Sequence, residues 1–461
     1  MPQTPDFRTT LELQAKIVGR RIEALKSEID DLAAEVLPQE ATRTALTKMG
    51  KELCDFLDAI APRFKHITTE TLFRTKRKNL FDISVKLAAF IPQLGFLRRS
   101  AHERNAYEFY DPLRRIARKL FDDRVDVVLS SEWEASPLAR HTGIEIGETK
   151  FVFIGLPVTE ASNPLIIPLA GHELGHSLWS HIRWLEEELQ SHKKELHSLT
   201  GEKRAQVEQH IEQAEAPGMR LYHRIIEAVE PHLNGDRFCP HTTEKKICAD
   251  IPVKNDFYDQ IINQVEEVFC DIVGIRMFGA SYLYAFHYLL CPGVGTKYNN
   301  NYPETGHRYD VMFKVLRKFK GALGEMPPDG PLWWHPVPTN LHADSLALSQ
   351  TIIDSALPTL IDVVETLFSG KCIEMPRPDD VKPLKSRLAL GAPIDAKSGE
   401  TLQRLILAGW LAHQDHKVFP NDHGLNDRRH AVIGELILKS IELLEIHNLQ
   451  EEFRKGDDGC C

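Results

Sequence analysis

The chain has 461 residues, of which 42% are hydrophobic and 26% are charged, and its formal net charge at pH 7 is −10. This length exceeds the size at which a single hydrophobic core stops growing, so we expect two or three structural units. The composition is that of an ordinary globular protein. The acidic net charge argues against nucleic acid as the main partner of the whole chain.

Neither a targeting signal nor a membrane span is evident from the sequence. The first ten residues lack the apolar run of a secretory signal, and we find no run of about 18 apolar residues, so we expect no membrane-spanning segment. The eight cysteines are dispersed along a large chain, which is not the pattern of a disulfide framework. These observations together predict a cytoplasmic protein.

The N-terminal region, 1–124, has the pattern of amphipathic helices. Apolar residues alternate four and three positions apart and predict a short coiled-coil-like seam: Val18, Ile22, Leu25, Ile29, Leu32 and Val36. The seam spans under three heptads, so an intramolecular helical hairpin and a dimer both satisfy it. Pro38 is expected to end the helix.

The segment 61–124 is basic, with 15 Lys or Arg residues against 7 Asp or Glu residues. Basic runs of this kind are usually the solvated faces of helices. The alternative is a docking surface for an acidic partner.

Strand patterns occur only in the middle of the chain. The segments V-D-V-V-L-S from residue 125 and T-K-F-V-F-I-G-L-P at 149–157 predict two β-strands. The other periodic segments predict helices, which we place at 163 or 168 to about 215, 255–290, 307–320, 340–370, 384–413 and 428–455. The pattern indicates an α+β, mainly α, protein with a central region at 125–325 and helical regions at 1–124 and 326–461.

The predicted helix that follows the second strand contains L-A-G-H-E-L-G-H-S-L-W-S-H-I, residues 169–182. His172 and His176 lie four positions apart, so both imidazoles face one side of the helix and can bind one zinc ion. Glu173 lies beside them and can act as the general base for a water molecule. Gly175 destabilises a helix interior relative to alanine, which indicates close packing or access at that point.

A third zinc ligand is expected from V-E-E-V-F-C-D-I-V-G, residues 265–274. This helix is apolar around most of its circumference, yet Glu267 and Asp271 lie one turn apart within it. A buried carboxylate needs a partner. We therefore predict Glu267 as a zinc ligand and Asp271 as the acceptor for the N–H of a ligand imidazole. Glu266 is the alternative ligand.

H-E-L-G-H followed by E-V-F-C-D resembles the gluzincin group of zinc metallopeptidases. In addition, Y-P-E-T-G-H-R, residues 302–308, is similar to the H-P-x-x-x-x-R element of the prenyl-protein and heat-shock membrane metallopeptidases. The resemblance implies a zincin-like unit in which Arg308 helps hold the site. It also implies an oxyanion-stabilising residue, for which Tyr302, at the position of the family's His, and His307 are both candidates.

The resemblance further implies that a substrate peptide adds as a strand along an edge of the sheet, for which Lys150–Leu156 is the candidate. We therefore predict a soluble, intracellular, zinc-dependent endopeptidase that cleaves protein or peptide substrates at selected sites. The alternative is a non-catalytic zinc-containing regulatory or binding protein on the same fold. Hydrolysis of a non-peptide amide is a third reading, because the metal chemistry is not specific to peptides.

Overall fold

The structure is a computed structural model, and it divides into two compact units, one made of Met1–Asn105 and Phe121–Ser162 and the other of Ala106–Leu120 and Asn163–Cys461. The residues that it describes are 7–35, 37, 39–60, 70–102, 107–121, 125–132, 138–146, 149–160, 162–196, 200, 203–205, 207–208, 211, 220–233, 253–290, 302–319, 343–395, 400–415, 418–419 and 428–457.

The first unit begins with three helices: α1 (Phe7–Ala33), α2 (Glu40–Ile60) and α3 (Glu70–His102). Helix α1 packs on both α2 and α3, so its seam is covered by helices of the same chain. The buried residues of the seam are Val18, Ile22, Ile29 and Leu32, whereas Leu25 is partly exposed. Helix α1 ends at Ala33, before the stop predicted at Pro38. Val36 and Pro38 lie outside the described residues.

The same unit contains β1 (Val125–Glu132), β2 (Leu138–Ile146) and β3 (Thr149–Pro157). Among the described residues the strand order is β1-β3-β2, with β3 parallel to β1 and antiparallel to β2. The strands predicted at 125 and at 149–157 are confirmed, and β2 was not predicted. The assignment of Lys150–Leu156 as an edge strand is wrong, because β3 pairs on both sides.

The outer edge of β1 is closed at Leu129 by a side chain. The Gln39 side chain accepts a hydrogen bond from the Leu129 N–H and donates one to the Leu129 carbonyl, each at 2.9 Å. Gln39 is buried, so its amide takes the place that a neighbouring strand would occupy at this residue. A peptide therefore cannot pair with β1 at Leu129 unless Gln39 moves.

The second unit is helical over the described residues. Its helices are α4 (Tyr110–Leu120), α5 (Pro168–Leu196), α6 (Leu221–Leu233), α7 (Val253–Phe278), α8 (Ala280–Leu290), α9 (Thr305–Lys318), α10 (Ala343–Phe368), α11 (Lys382–Ala389), α12 (Leu402–Gln414) and α13 (Arg429–Asp457). Helices α5 and α7 form its most extensive packing pair. Helices α9 and α10 pack on α7, and α12 packs on α8, α11 and α13.

Two predicted helices are interrupted at glycines with positive φ. The helix predicted at 255–290 breaks at Gly279, whose φ of 58° ends α7 and separates it from α8. The helix predicted at 384–413 breaks near Gly391, which has φ of 70° and follows the end of α11. Left-handed backbone of this kind favours glycine and is common just past the end of a helix. The described part of the motif helix ends at Leu196.

The coarse fold class is confirmed, because the described chain is mainly helical with one small sheet. The zincin-like arrangement stays a prediction. The two compact units divide the chain differently from the predicted regions 1–124, 125–325 and 326–461: the strands belong with the N-terminal helices, and the motif helix α5 belongs with the C-terminal helices.

One segment in the described chain, Arg74–Ser100 of α3, is long and apolar enough to cross a membrane by those two criteria, although no such segment was predicted. Helices in the cores of globular proteins meet the same criteria, so length and composition alone assign no membrane span. In this segment, 41% of the apolar window is buried inside the protein. The other described residues of that window are partly or fully exposed.

Candidate metal centre

Helix α5 begins at Pro168, one of the two predicted starting points. A short 3-10 helix, Pro164–Ile166, precedes it, and the Asn163 side chain caps this turn by accepting a hydrogen bond from the Leu165 N–H at 3.0 Å. Proline suits the first turn of a helix because its missing N–H has no partner there. The start of α5 is therefore set by local sequence.

The two motif histidines lie one turn apart on the inner face of α5. The rings of His172 and His176 have centroids 4.8 Å apart and are nearly perpendicular, at 88°. The apolar residues of α5 that are buried around them are Leu169, Ala170, Leu174, Leu178, Trp179 and Ile182. The motif thus lies within the core-facing surface of the helix, as its apolar setting predicted.

Glycines bring α5 and α7 into direct backbone contact. A Cβ at Gly175 would lie 2.7 Å from Cα of Cys270, and a Cβ at Gly171 would lie 3.1 Å from Cα of Gly274. Any larger side chain at Gly175 would force the helices apart. Close packing is therefore the reason for the glycine inside the motif, and it brings the third-ligand helix within reach of both imidazoles.

The Nε2 atoms of both histidines face one carboxylate of α7. His172 Nε2 lies 3.3 Å from Glu267 Oε2, and His176 Nε2 lies 3.5 Å from Glu267 Oε1. Zinc–nitrogen and zinc–oxygen bonds of about 2.0–2.1 Å imply ligands separated by roughly 3.3–3.4 Å at the corners of a tetrahedron. The distance from each Nε2 atom to the Glu267 carboxylate is thus close to the separation of two ligands on a small divalent cation.

The Nδ1 atom of each histidine is hydrogen-bonded to a second carboxylate. His172 Nδ1 lies 3.0 Å from Asp271 Oδ1, and His176 Nδ1 lies 2.8 Å from Glu266 Oε1. A carboxylate accepts the Nδ1–H, which leaves Nε2 to bind a metal. Asp271 thus contacts the imidazole of His172, and its role in orienting a metal ligand stays a prediction. Glu266, the alternative ligand, instead contacts Nδ1 of His176, just as Asp271 contacts Nδ1 of His172.

A buried polar cluster holds Asp271 in place. Arg308 donates to it from Nε at 2.8 Å and from Nη2 at 2.7 Å, and Arg308 Nη1 lies 3.4 Å from Glu267 Oε2. The Tyr282 hydroxyl donates to Asp271 Oδ1 at 2.6 Å. Tyr282 reaches this position because its ring lies against Gly274, where a Cβ would come within 2.5 Å of it. The predicted role of Arg308 in holding the site fits these contacts.

The charges in the cluster stabilise one another. Burial would raise the pKa of Asp271, but the Arg308 guanidinium and the bond to His172 hold it well below its usual range. The pKa of Glu267 is also lowered, because His172 and Arg308 outweigh its burial. Burial lowers the pKa of His172, yet its bonds to Asp271 and Glu267 raise it to about 10 in the metal-free protein. The carboxylates are therefore ionised at neutral pH.

Cys270 is a further donor near the histidines. One ligand atom from each of His172, His176 and Cys270 lies within 4.8 Å of the others, so these three residues form a group that could hold a metal ion. Burial raises the pKa of the Cys270 thiol well above its usual value, which favours the protonated form. Both Nε2 atoms also lie within 3.5 Å of the Glu267 carboxylate, so Glu267 and Cys270 are both near enough to be the third donor.

The other three predicted site residues, Glu173, Tyr302 and His307, differ in their burial and in the charges around them. Glu173 is 4% exposed and follows His172 on α5. Tyr302 is half exposed, and its pKa is raised first by burial and then by the charge of Glu267, with a smaller contribution from Glu173. His307 is buried, and burial lowers its pKa.

The charged groups that act on His307 differ from those that act on Tyr302. They are Asp354, Lys314 and Asp310, and no metal-site residue is among them. Tyr302, by contrast, experiences the charges of Glu267, Glu173 and Glu266. Electrostatics therefore associates Tyr302, and not His307, with the candidate metal centre.

Sequence reasoning missed the part played by Tyr282. It lies eleven positions after Asp271 and beyond the helix break at Gly279, so no helical periodicity relates the two. The position of Glu266 also depends on how α7 is rotated against α5, which the adjacent pair of carboxylates does not reveal.

No family model matches the chain, and neither the curated proteins nor the solved structures contain a match to it. The resemblance to gluzincin peptidases stays a prediction from the motifs.

Proposed function

We propose that this chain is a zinc-dependent peptidase whose metal is held by His172, His176 and Glu267. The observation that carries the proposal is the spacing of both Nε2 atoms from the Glu267 carboxylate, 3.3 and 3.5 Å, with each Nδ1 bound to another acid. Two imidazoles and one carboxylate are a ligand set of catalytic zinc sites. Three protein ligands leave a fourth position for water or substrate.

The ligand types favour zinc over the harder cations. Magnesium and calcium select oxygen ligands, whereas imidazole suits zinc and its transition-metal neighbours. The carboxylates that accept from both Nδ1–H groups increase the basicity of the metal-binding nitrogens. When bound, zinc supplies Lewis-acid chemistry: it polarises a carbonyl group and lowers the pKa of a water molecule to about 7.

Glu173 is the general base in this proposal. It follows His172 directly on α5 and is almost fully buried, so its carboxylate acts in an environment that strengthens electrostatic interactions. It would accept the proton of the attacking water and later deliver it to the nitrogen of the departing amine. A single carboxylate thus serves both proton transfers.

Tyr302 is the candidate for stabilising the oxyanion that forms at the substrate carbonyl. Its phenol is partly buried and lies in the negative field of Glu267 and Glu173, and both effects raise its pKa. The hydroxyl therefore keeps its proton at neutral pH and can donate a hydrogen bond. Arg308 and Asp271 position His172 and contact no substrate in this scheme.

The substrate class rests on the resemblance to gluzincin peptidases, and the site chemistry itself would hydrolyse other amides. The interior position of β3 removes the strand first considered for substrate pairing. We therefore propose peptide-bond hydrolysis without assigning the surface on which the peptide lies.

The test is to purify the parent protein and Glu173→Gln, measure zinc content, and assay both with a library of unstructured peptides. Zinc content should be equal, and cleavage by the variant should fall by at least about a hundredfold, since general-base catalysis contributes about 10²–10⁴-fold. Glu188→Gln removes a carboxylate from the same helix, outside the motif, and is the matched control. It should retain full cleavage.

The non-catalytic alternative predicts a different result. A regulatory protein on the same fold would bind zinc in both forms and release no new peptide termini from any substrate in the library. Cleavage that is equal in the parent and Glu173→Gln would exclude the proposed mechanism. Hydrolysis of small amides without cleavage of peptides would assign the site to the third reading.

A further inference from the structure

Helix α3 presents an apolar stripe on its outer face. Phe81, Val85 and Ile91 are 66%, 53% and 60% exposed, although their side chains are large and apolar. With Ala88 they occur at spacings of four, three and three, so they form one continuous strip along the helix. The opposite face of α3 is packed against α1, α2 and β1.

Basic residues adjoin the stripe at its N-terminal end. Arg77 and Lys78 precede Phe81 by four and three positions, so they lie on the same face one turn away, and both are exposed. From Arg74 to Ser100 the helix contains seven basic residues and a single acidic one, Asp82. The outer face of α3 is therefore apolar in its middle and strongly positive at its start.

A second exposed apolar stripe has the opposite electrostatic setting. Ile446, Leu449 and Phe453 on α13 are 52%, 52% and 77% exposed. They are surrounded by acidic residues of the same helix: Glu442, Glu445, Glu451 and Glu452. The protein thus offers two stripes of similar exposure, one among basic groups and one among acidic groups.

We propose that the outer face of α3 binds the surface of a membrane that contains anionic lipids. Protruding Phe, Val and Ile side chains beside Arg and Lys are the combination that inserts at the lipid headgroup boundary, where the apolar groups enter the acyl region and the cations contact headgroup phosphates. Apolar side chains that protrude beside cations, with Asp82 as the one acidic residue between Arg74 and Ser100, match an anionic lipid surface in both polarity and charge. The helix lies in the plane of the membrane and does not cross it.

The proposal is independent of the metal centre, because α3 and the candidate ligands belong to different compact units. Loss of peptidase activity would therefore leave membrane binding intact. Binding at the membrane would concentrate the protein near substrates that are also located there.

The test is co-sedimentation of the full-length protein with vesicles of phosphatidylserine and phosphatidylcholine, compared with vesicles of phosphatidylcholine alone. We expect binding only to the anionic vesicles, weakening as salt is raised. The combined change of Lys76, Arg77 and Lys78 to Gln should lower the partition coefficient about a hundredfold at low salt, since each cation contributes about a factor of five. The combined change of Phe81, Val85 and Ile91 to Ser should lower it about as much.

The matched control changes Ile446, Leu449 and Phe453 to Ser. It removes an equally exposed stripe from an acidic helix and should leave binding unchanged. Circular dichroism checks that every variant is folded, which is expected because all the apolar positions changed are exposed.

Three results would overturn the proposal. The first is failure of the parent protein to bind anionic vesicles at low salt. The second is equal binding by the parent and both α3 variants. The third is a parent dimer, seen by light scattering, that dissociates when the α3 stripe is changed, which would identify this face as an interface between copies of the chain.

Discussion

Alanine at position 175 is expected to weaken metal binding without altering any side chain that would hold the metal. Its Cβ would lie 2.7 Å from Cα and 3.0 Å from Cβ of Cys270. Carbon atoms in contact prefer about 3.5–4.0 Å, so α5 and α7 must separate by roughly 1 Å. The gaps from Glu267 to His172 and His176, now 3.3 and 3.5 Å, would widen to roughly 4–4.5 Å, beyond the edge of a zinc tetrahedron.

The effect on stability is the difference between two opposing terms. Alanine is favoured over glycine in a helix by about 1 kcal/mol. Overpacking a tight core costs about 1–3 kcal/mol. We therefore expect Gly175→Ala to lower the free energy of unfolding by about 1 kcal/mol. We also expect zinc affinity to fall at least about tenfold, the lower end of the loss seen when groups that support metal ligands are removed.

Zinc affinity is measured by competition with a chromophoric chelator, and stability by thermal unfolding with and without EDTA. Gly434→Ala is the matched control, since a Cβ there would meet Pro164 at an ordinary 3.7 Å. It should bind zinc normally and unfold at the same or a higher temperature. If Gly175→Ala bound zinc as tightly as the parent and were also more stable, the close approach of the two helices would be refuted.

Three further predictions concern the groups around the metal-binding nitrogens. Tyr282→Phe removes one donor to Asp271 and should lower zinc affinity about tenfold while the fold is retained, as measured by the same competition titration. Arg308→Met removes the guanidinium from the carboxylates of Asp271 and Glu267 and leaves protonated His172 as their cationic partner, so it should destabilise the metal-free protein by about 3 kcal/mol, the lower end of the cost of a broken buried ion pair, in urea unfolding. Arg308 keeps the pKa of Asp271 low in the folded protein although burial would raise it. Ionised Asp271 therefore stabilises the fold above its unfolded pKa of about 3.9, and this stabilisation is lost as the pH falls through the pKa of Asp271 in the folded protein. Arg308→Met raises that folded pKa, so the variant should unfold at a higher pH on acidification. Because the pKa of His172 is raised to about 10 in the metal-free protein, zinc must displace a proton, and its apparent affinity should rise up to about tenfold per pH unit between pH 6 and 9. A flat affinity over that range would contradict the paired state of His172.

The parts of the fold that sequence predicted correctly are set by local interactions. The apolar spacing around the motif predicted the buried face of α5, and Pro168 was one of the two predicted starting points, because helical periodicity and first-turn chemistry act within a few residues. The apolar residues of α1, spaced four and three positions apart, likewise predicted the face that packs on α2 and α3. The cost of Gly175 in a helix interior predicted close packing or access at that point, and its approach to Cys270 identifies close packing as the reason.

The parts that sequence reasoning missed depend on contacts between distant residues. Strand order is one example. The sequence of β3 is a single apolar run, which predicts a strand but does not show that β1 and β2 pair on either side of it. The pairing of Tyr282 with Asp271 is another, because the chain turns at Gly279 between them. The choice between Glu266 and Glu267 depends on the rotation of α7, and adjacent identical residue types do not encode it.

Anomalous X-ray diffraction at the zinc edge, on crystals grown with zinc, would locate the metal and identify its ligands. We expect one peak at about 2.0–2.2 Å from Nε2 of His172, Nε2 of His176 and the Glu267 carboxylate, with the Cys270 sulfur outside bonding distance. A peak bonded to the Cys270 sulfur at about 2.3 Å, or no peak between α5 and α7, would contradict it.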